Sequence, residues 1–173
     1  PKLRLGNFPE VHMLEDGVEI TLHCGVLHIE STNGTDFPVE YGGLSAEIKP
    51  GDPILLADGL IRLKVVTTDG EADGKVRCTV VDGGPISSRK GVNVPGTLVD
   101  LPAIGPKDTL ALNHALENGA DCIAVSYVRT AADLLPAKEA VRAASMHVPV
   151  LAKIEHPVAL ENLESILDTA DAV

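Results

Sequence analysis

The chain has 173 residues, is 45% hydrophobic and carries a formal net charge of −11. That is enough for one ordinary domain or two small ones with a sizeable core, and too acidic to favour a nucleic-acid backbone as partner. No apolar stretch approaches the ~20 residues that span a bilayer, and the amino terminus carries no signal-like pattern, so no membrane partner is expected. Cys24, Cys78 and Cys122 are widely spaced and form no CxxC pair, which reads as buried free thiols in a reducing compartment. The chain opens at Pro1 without a methionine and stops at Asp171-Ala172-Val173 as a strand begins, the pattern expected of a segment of a longer protein.

Residues 1 to 6 alternate Leu3 and Leu5 with Lys2 and Arg4, so the two cations share one strand face. From Asn7 to about Ser88 the texture is all-β. Val18–Leu22, Ile61–Val65 and Val76–Val80 alternate apolar and polar residues. Asn33-Gly34, Pro50-Gly51-Asp52-Pro53, Asp58-Gly59, Asp69-Gly70, Asp73-Gly74 and Asp82-Gly83-Gly84-Pro85 punctuate them as turns. Strands at this spacing make a small barrel or sandwich. Ser87 to Gly96 is a polar, basic connector in which Arg89-Lys90-Gly91 can clamp a polyphosphate, although such a tripeptide alone is usually a solvated loop.

Beyond the connector, helices and strands alternate. Pro106 suits the first turn of a helix with Leu112, Ala115 and Leu116 on its apolar side, stopped by Asn118-Gly119. Residues 121 to 129 are nearly continuously apolar, as a parallel strand buried on both faces should be. Thr130 to Asp133 reads as a capping box, and the helix after it runs to about Ser145 with Pro136 disturbing its early turns. A strand over 148 to 155 then ends in Lys153 and Glu155, two residues apart and so on one face. Pro157 starts a helix whose stripe is Leu160, Leu163 and Leu167. Strand, charged tip, helix start is how an α/β enzyme places chemistry at the carboxyl end of a parallel strand. The competing reading is a surface ion pair, which contributes little.

The ordered set Pro1-Lys-Leu-Arg, Pro50-Gly-Asp, Asp58-Gly-Leu-Ile, Ser88-Arg-Lys-Gly-Val-Asn-Val-Pro-Gly96, Leu101-Pro-Ala, Lys107-Asp108, Ala124-Val-Ser-Tyr-Val-Arg129 and Ala152-Lys-Ile-Glu155 resembles the middle of the pyruvate kinase family. The resemblance implies an α/β fold, a partial (β/α)8 TIM-type barrel with an inserted all-β barrel domain. Residues 1–6 would be the end of a barrel strand, 7–88 the inserted lid, and 89–173 the barrel resumed, with Gly6 and Gly91 as hinge positions.

The implied reaction is phosphoryl transfer between phosphoenolpyruvate and ADP, giving pyruvate and ATP, in a cytoplasmic homo-oligomer, tetrameric by resemblance. Lys153 would stabilise the transferring phosphoryl group, Glu155 would hold Mg2+ (or Mn2+), and Arg4 and Lys90 would contact nucleotide phosphate. Ser126 would sit at the substrate mouth. Lys2 would stand in for a monovalent cation, so that K+ is not required. His156, Pro157, Val158, Tyr127 and Ala57 depart from the family pattern, the last leaving Asp58 as the single acid of its turn. A second metal-binding aspartate and other substrate contacts are expected outside these residues, so the chain by itself is expected to have no turnover and, with open sheet edges, to self-associate. Two other readings are a metal-dependent aldol-type lyase of phosphoenolpyruvate or pyruvate, and a non-catalytic β-domain binding module.

Overall fold

The computed structural model describes residues 2–70, 72–97 and 99–173. Pro1, which opens the expected strand 1–6, lies outside them. The chain divides into two compact units, a β unit over 2–100 and an α/β unit over 101–173. Among the described residues no helix is long and apolar enough to cross a membrane.

The β unit contains β1 (His12–Leu14), β2 (Glu19–Cys24), β3 (Asp36–Val39), α1 (Leu44–Glu47), β4 (Pro53–Leu56), β5 (Ile61–Thr68), β6 (Lys75–Asp82), β7 (Gly84–Ile86) and β8 (Val92–Asn93). Six strands form one sheet in the order β3-β2-β6-β5-β4-β8, and β1 pairs with β7. The three expected alternating runs lie in β2, β5 and β6. In β5, Ile61, Leu63 and Val65 are buried while Arg62 and Lys64 are exposed, as period-two alternation over a one-sided core requires. β3 carries too weak a pattern to be read, because Pro38 interrupts it. It is the last strand in the six-stranded order, bordered beyond only by the short bridge to residues 3–6, so a missing N–H costs little there. Residues 3–6 join the two edges. Gly6 N–H donates to Pro38 O at 2.8 Å and Leu5 N–H to Lys90 O at 2.9 Å, so the sheet closes through bridges at Arg4 and Leu5. Closure removes the open edges and buries Leu5 completely. The buried residues include Phe37 and the aliphatic Ile20, Leu22, Ile54 and Leu63.

The α/β unit contains α2 (Pro106–Glu117), β9 (Ile123–Val125), α3 (Leu135–Ala143), β10 (Val150–Ala152), α4 (Val158–Glu161) and α5 (Leu163–Thr169). β10 runs parallel to β9 with Val150 opposite Ile123 and Ala152 opposite Val125. A parallel bridge from Leu151 to Ala172 begins the next pairing. Leu116, Val125, Val141, Val150 and Ile166 share one core.

Three expectations change here. Both strands are shorter than their apolar runs, and β9 is covered on one face only: Val125 is buried while Ala124 is exposed. The segment at 130–133 does cap, with the Asp133 carboxylate accepting from the Arg129 and Thr130 N–H groups at 2.8 and 3.1 Å. It opens into a 3-10 turn (Ala131–Leu134), and α3 then starts so that Pro136 falls in its first turn, where a lost donor is harmless. The last helix is broken at Asn162, whose side chain donates to Val158 O at 3.0 Å. That break turns Ala159 and Ile166 inward and leaves Leu160 and Leu167 exposed, so the apolar stripe is not the one expected.

Only part of the thiol expectation holds. Cys78 is buried and Cys24 partly so, but Cys122 is exposed. Burial pushes Cys78 up to about 12 and Cys24 up to about 11, so neither is a thiolate at neutral pH. A disulfide-exchange reagent at pH 8 should therefore titrate one thiol rapidly in the folded protein and three after denaturation. Rapid reaction of all three in the folded state would contradict this burial pattern.

His23 Nε2 lies 2.8 Å from Asp36 Oδ1, across the parallel β2–β3 pair. This bond, opposed by partial burial and aided by Thr35, holds the Asp36 carboxyl below the usual carboxylate range. A depressed folded pKa stabilises the fold above the unfolded value of about 4, and that contribution disappears as pH falls through the lower folded value. His23→Ala should make urea stability less steeply dependent on pH over the acid limb, followed by far-UV circular dichroism. An unchanged slope would count against the contact.

Candidate functional site

The parallel register of β9 and β10 decides what stands together at their carboxyl ends. Lys153 N–H donates to Val125 O at 2.9 Å, carrying the ladder one step beyond Ala152, and Val128 N–H donates back to Lys153 O at 3.4 Å. Residues 126–128 therefore run beside 153–155. Tyr127 takes a left-handed backbone conformation with φ 61°, rare for a bulky residue. Its amide N–H donates to Glu155 Oε2 at 2.9 Å.

Lys153 and Glu155 face each other as their spacing predicts, with Nζ 3.5 Å from Oε1. The Lys153 ammonium also donates to Ser126 Oγ at 3.2 Å. The three side chains predicted for this strand tip are thus brought together. The side chains of Lys153 and Glu155 remain 50% and 37% exposed. An ammonium held between a hydroxyl and a carboxylate, and open to solvent, can meet an incoming anion. The carboxylate is anchored on one oxygen by a backbone donor and is a hard oxygen ligand of the kind Mg2+ prefers. Among the described residues no group of three or more His, Cys, Asp or Glu side chains is arranged to hold a metal.

His156 lies next to this pair. Its Nδ1 accepts from Val158 N–H at 3.2 Å, and its ring stands edge-on to Tyr127 at 6.0 Å. Burial, with a smaller contribution from the Arg129 charge, keeps it below the usual histidine range. A cleft of about 500 Å3 lined by Lys138, Arg142, His147 and Val150 lies at the other end of β10 and includes neither Lys153 nor Glu155.

The remaining predicted residues belong to the β unit. Lys2 Nζ is 2.7 Å from Asp58 Oδ1. Arg4 donates from its guanidinium to Arg89 O at 3.0 Å, and Arg89 itself pairs with Glu40. The Lys2 hydrogen bond and charge, followed by the charges of Lys90 and Arg4, hold the Asp58 carboxyl below the usual range. Lys2, Arg4 and Lys90 thus act on one carboxylate. Sequence reasoning identified the three cations but took Asp58 only as a turn residue. It also missed the Tyr127 N–H that fixes Glu155, because a backbone donor leaves no trace in residue type.

The sequence matches the family described as "Pyruvate kinase, barrel domain" over residues 1–173. It is 38% identical over 175 residues to a pyruvate kinase of Agrobacterium vitis, covering 100% of this chain and 35% of that protein. It is 38% identical over 173 residues to the pyruvate kinase of Corynebacterium glutamicum, with 100% and 35% covered. The Geobacillus stearothermophilus pyruvate kinase is 38% identical over 173 residues, covering 95% of this chain and 29% of that protein. The chain thus spans about a third of the length of the curated relatives it matches. Similarity through both units does not favour the lyase or the separate binding module. A strand-tip lysine and glutamate, a glycine-punctuated basic connector and a match that runs from the first residue to the last place this chain in the pyruvate kinase family.

Proposed function

We propose that this chain is the central part of a pyruvate kinase that transfers a phosphoryl group between phosphoenolpyruvate and ADP. The observation that carries the reading is the contact of Lys153 with Glu155 at 3.5 Å, at the end of a parallel strand, in a chain similar throughout to pyruvate kinases. Phosphoryl transfer is catalysed chiefly by positioning and by positive charge aimed at the moving group.

Lys153 supplies that charge as a compact ammonium, and Ser126, its hydrogen-bond partner, limits where it points. Glu155 would be one ligand of the divalent cation, Mg2+ or Mn2+, a hard ion that prefers oxygen donors. The cation, when bound, neutralises charge on the phosphate oxygens. Fixed by the Tyr127 N–H, Glu155 offers its other oxygen with little reorganisation. Arg4 and Lys90 contact the nucleotide phosphates, and Lys2 provides the monovalent charge that K+ would otherwise bring.

The (β/α)8 reading extends the alternation of helices and parallel strands in the α/β unit, with residues 7–88 of the β unit as the inserted lid. In it, 1–6 and 89–173 belong to the barrel and 7–88 to the lid. The family resemblance supports a cytoplasmic homo-oligomer.

In the full-length protein Lys153→Met should lower kcat by about 10^3-fold or more with a small change in KM, because a charge used mainly in the transition state is lost. Glu155→Gln should raise the Mg2+ concentration for half-maximal rate about tenfold or more. A lactate-dehydrogenase-coupled assay reads both, and near-wild-type Lys153→Met kinetics would overturn the assignment. Rates should be equal in K+ and in tetramethylammonium; many-fold activation by K+ would remove Lys2 from its role.

A further inference from the structure

We propose that Asp58 is a built-in counter-ion that competes with the phosphate groups of the nucleotide for the ammonium of Lys2, and so sets how tightly this cation cluster holds an anionic ligand. The inference rests on the reading of Arg4 and Lys90 as nucleotide-phosphate contacts and of Lys2 as the fixed monovalent charge near those phosphates.

The geometry is specific. Lys2 reaches Asp58 across Gly91, where a Cβ would lie only 2.6 Å from Lys2 Cε. Only glycine leaves that passage open without moving the lysine stem. The Asp58 turn is tied to the same connector, since Ala57 N–H donates to Gly91 O at 3.1 Å. Ala57 and Asp58 both adopt left-handed backbone with φ 51° and 58°. That conformation is unfavourable for alanine and is maintained by its surroundings. The turn therefore presents the carboxylate to Lys2 at 2.7 Å, in the combined field of Lys2, Lys90 and Arg4.

The exposure of the pair makes the contact reversible. Asp58 is 81% exposed along its side chain and Lys2 is 34% exposed. A pair this wet contributes little stability and can be broken by a stronger anion. A multiply charged phosphate outcompetes one carboxylate, whereas a singly charged anion gains little by exchange. Asp58 thereby lowers affinity for all anions and biases the cluster toward polyphosphate.

Asp58→Asn removes the charge while keeping a residue that tolerates left-handed backbone. In the full-length protein it should lower the KM for ADP, and the calorimetric Kd for ADP, by about three- to tenfold, the effect of one unit charge at close range in partly screened surroundings. The fall in affinity with added salt should steepen. Asp58→Glu should return both values toward wild type. In a Lys2→Met background the Asp58→Asn effect should shrink, since the competed ammonium is gone. An unchanged or raised Kd for ADP in Asp58→Asn overturns the proposal, as does an undiminished effect without Lys2. A wild-type protein that binds ADP but does not phosphorylate it would sink the kinase reading instead, and the calorimetry would still decide the role of Asp58.

Discussion

The strand-tip site depends on the parallel register that sets Ala152 against Val125. A lysine and a glutamate two residues apart share a face of any strand, but that alone gives a solvated pair. With this register the turn after β9 runs alongside, and Ser126 and Tyr127 come within hydrogen-bond distance of the two charges. A shift by one residue would present the opposite face and separate the ammonium from the hydroxyl. The register in turn depends on Val125, Val150 and Ala152 entering the core beneath α2, α3 and α5. Apolar packing below the sheet thus positions charge above it.

The left-handed backbone at Tyr127 belongs to the same arrangement. It turns a peptide N–H toward Glu155 Oε2 and leaves Oε1 facing Lys153. A backbone donor has no side-chain entropy to lose and cannot rotate away, so it orients a carboxylate more firmly than an exposed side chain would. The Asp133 cap, which takes the N–H groups of Arg129 and Thr130, holds the end of the same turn.

Net charge is a poor guide to local chemistry here. The chain carries −11 formally, yet Lys2, Arg4 and Lys90 act together on Asp58 in the β unit. They converge because residues 3–6 and 89–92 are hydrogen-bonded neighbours in the closed sheet, although they are far apart in sequence. Closure is driven by burial of Leu3, Leu5 and Val92, and the cations occupy the alternate positions. The same period-two geometry that fills the core therefore gathers the cations.

Much of this protein was legible in its sequence. Alternation gave β2, β5 and β6, Asp-Gly and Asn-Gly dipeptides gave their turns, and Pro106 and Asn118-Gly119 bounded α2, all through local sterics and backbone donors. The spacing of Lys153 and Glu155 gave their common face for the same reason. The sequence did not show β3 behind Pro38, the break at Asn162 that redirects the last stripe, the exposure of Cys122, or the use of Asp58 and the Tyr127 N–H as partners. Each of these depends on what another part of the chain places nearby: an edge position, a core to turn toward, a cation across Gly91, a carboxylate 28 residues away. Local sterics and alternation are written into neighbouring residues, whereas partners for charges and donors are assigned only when packing brings distant strands into register.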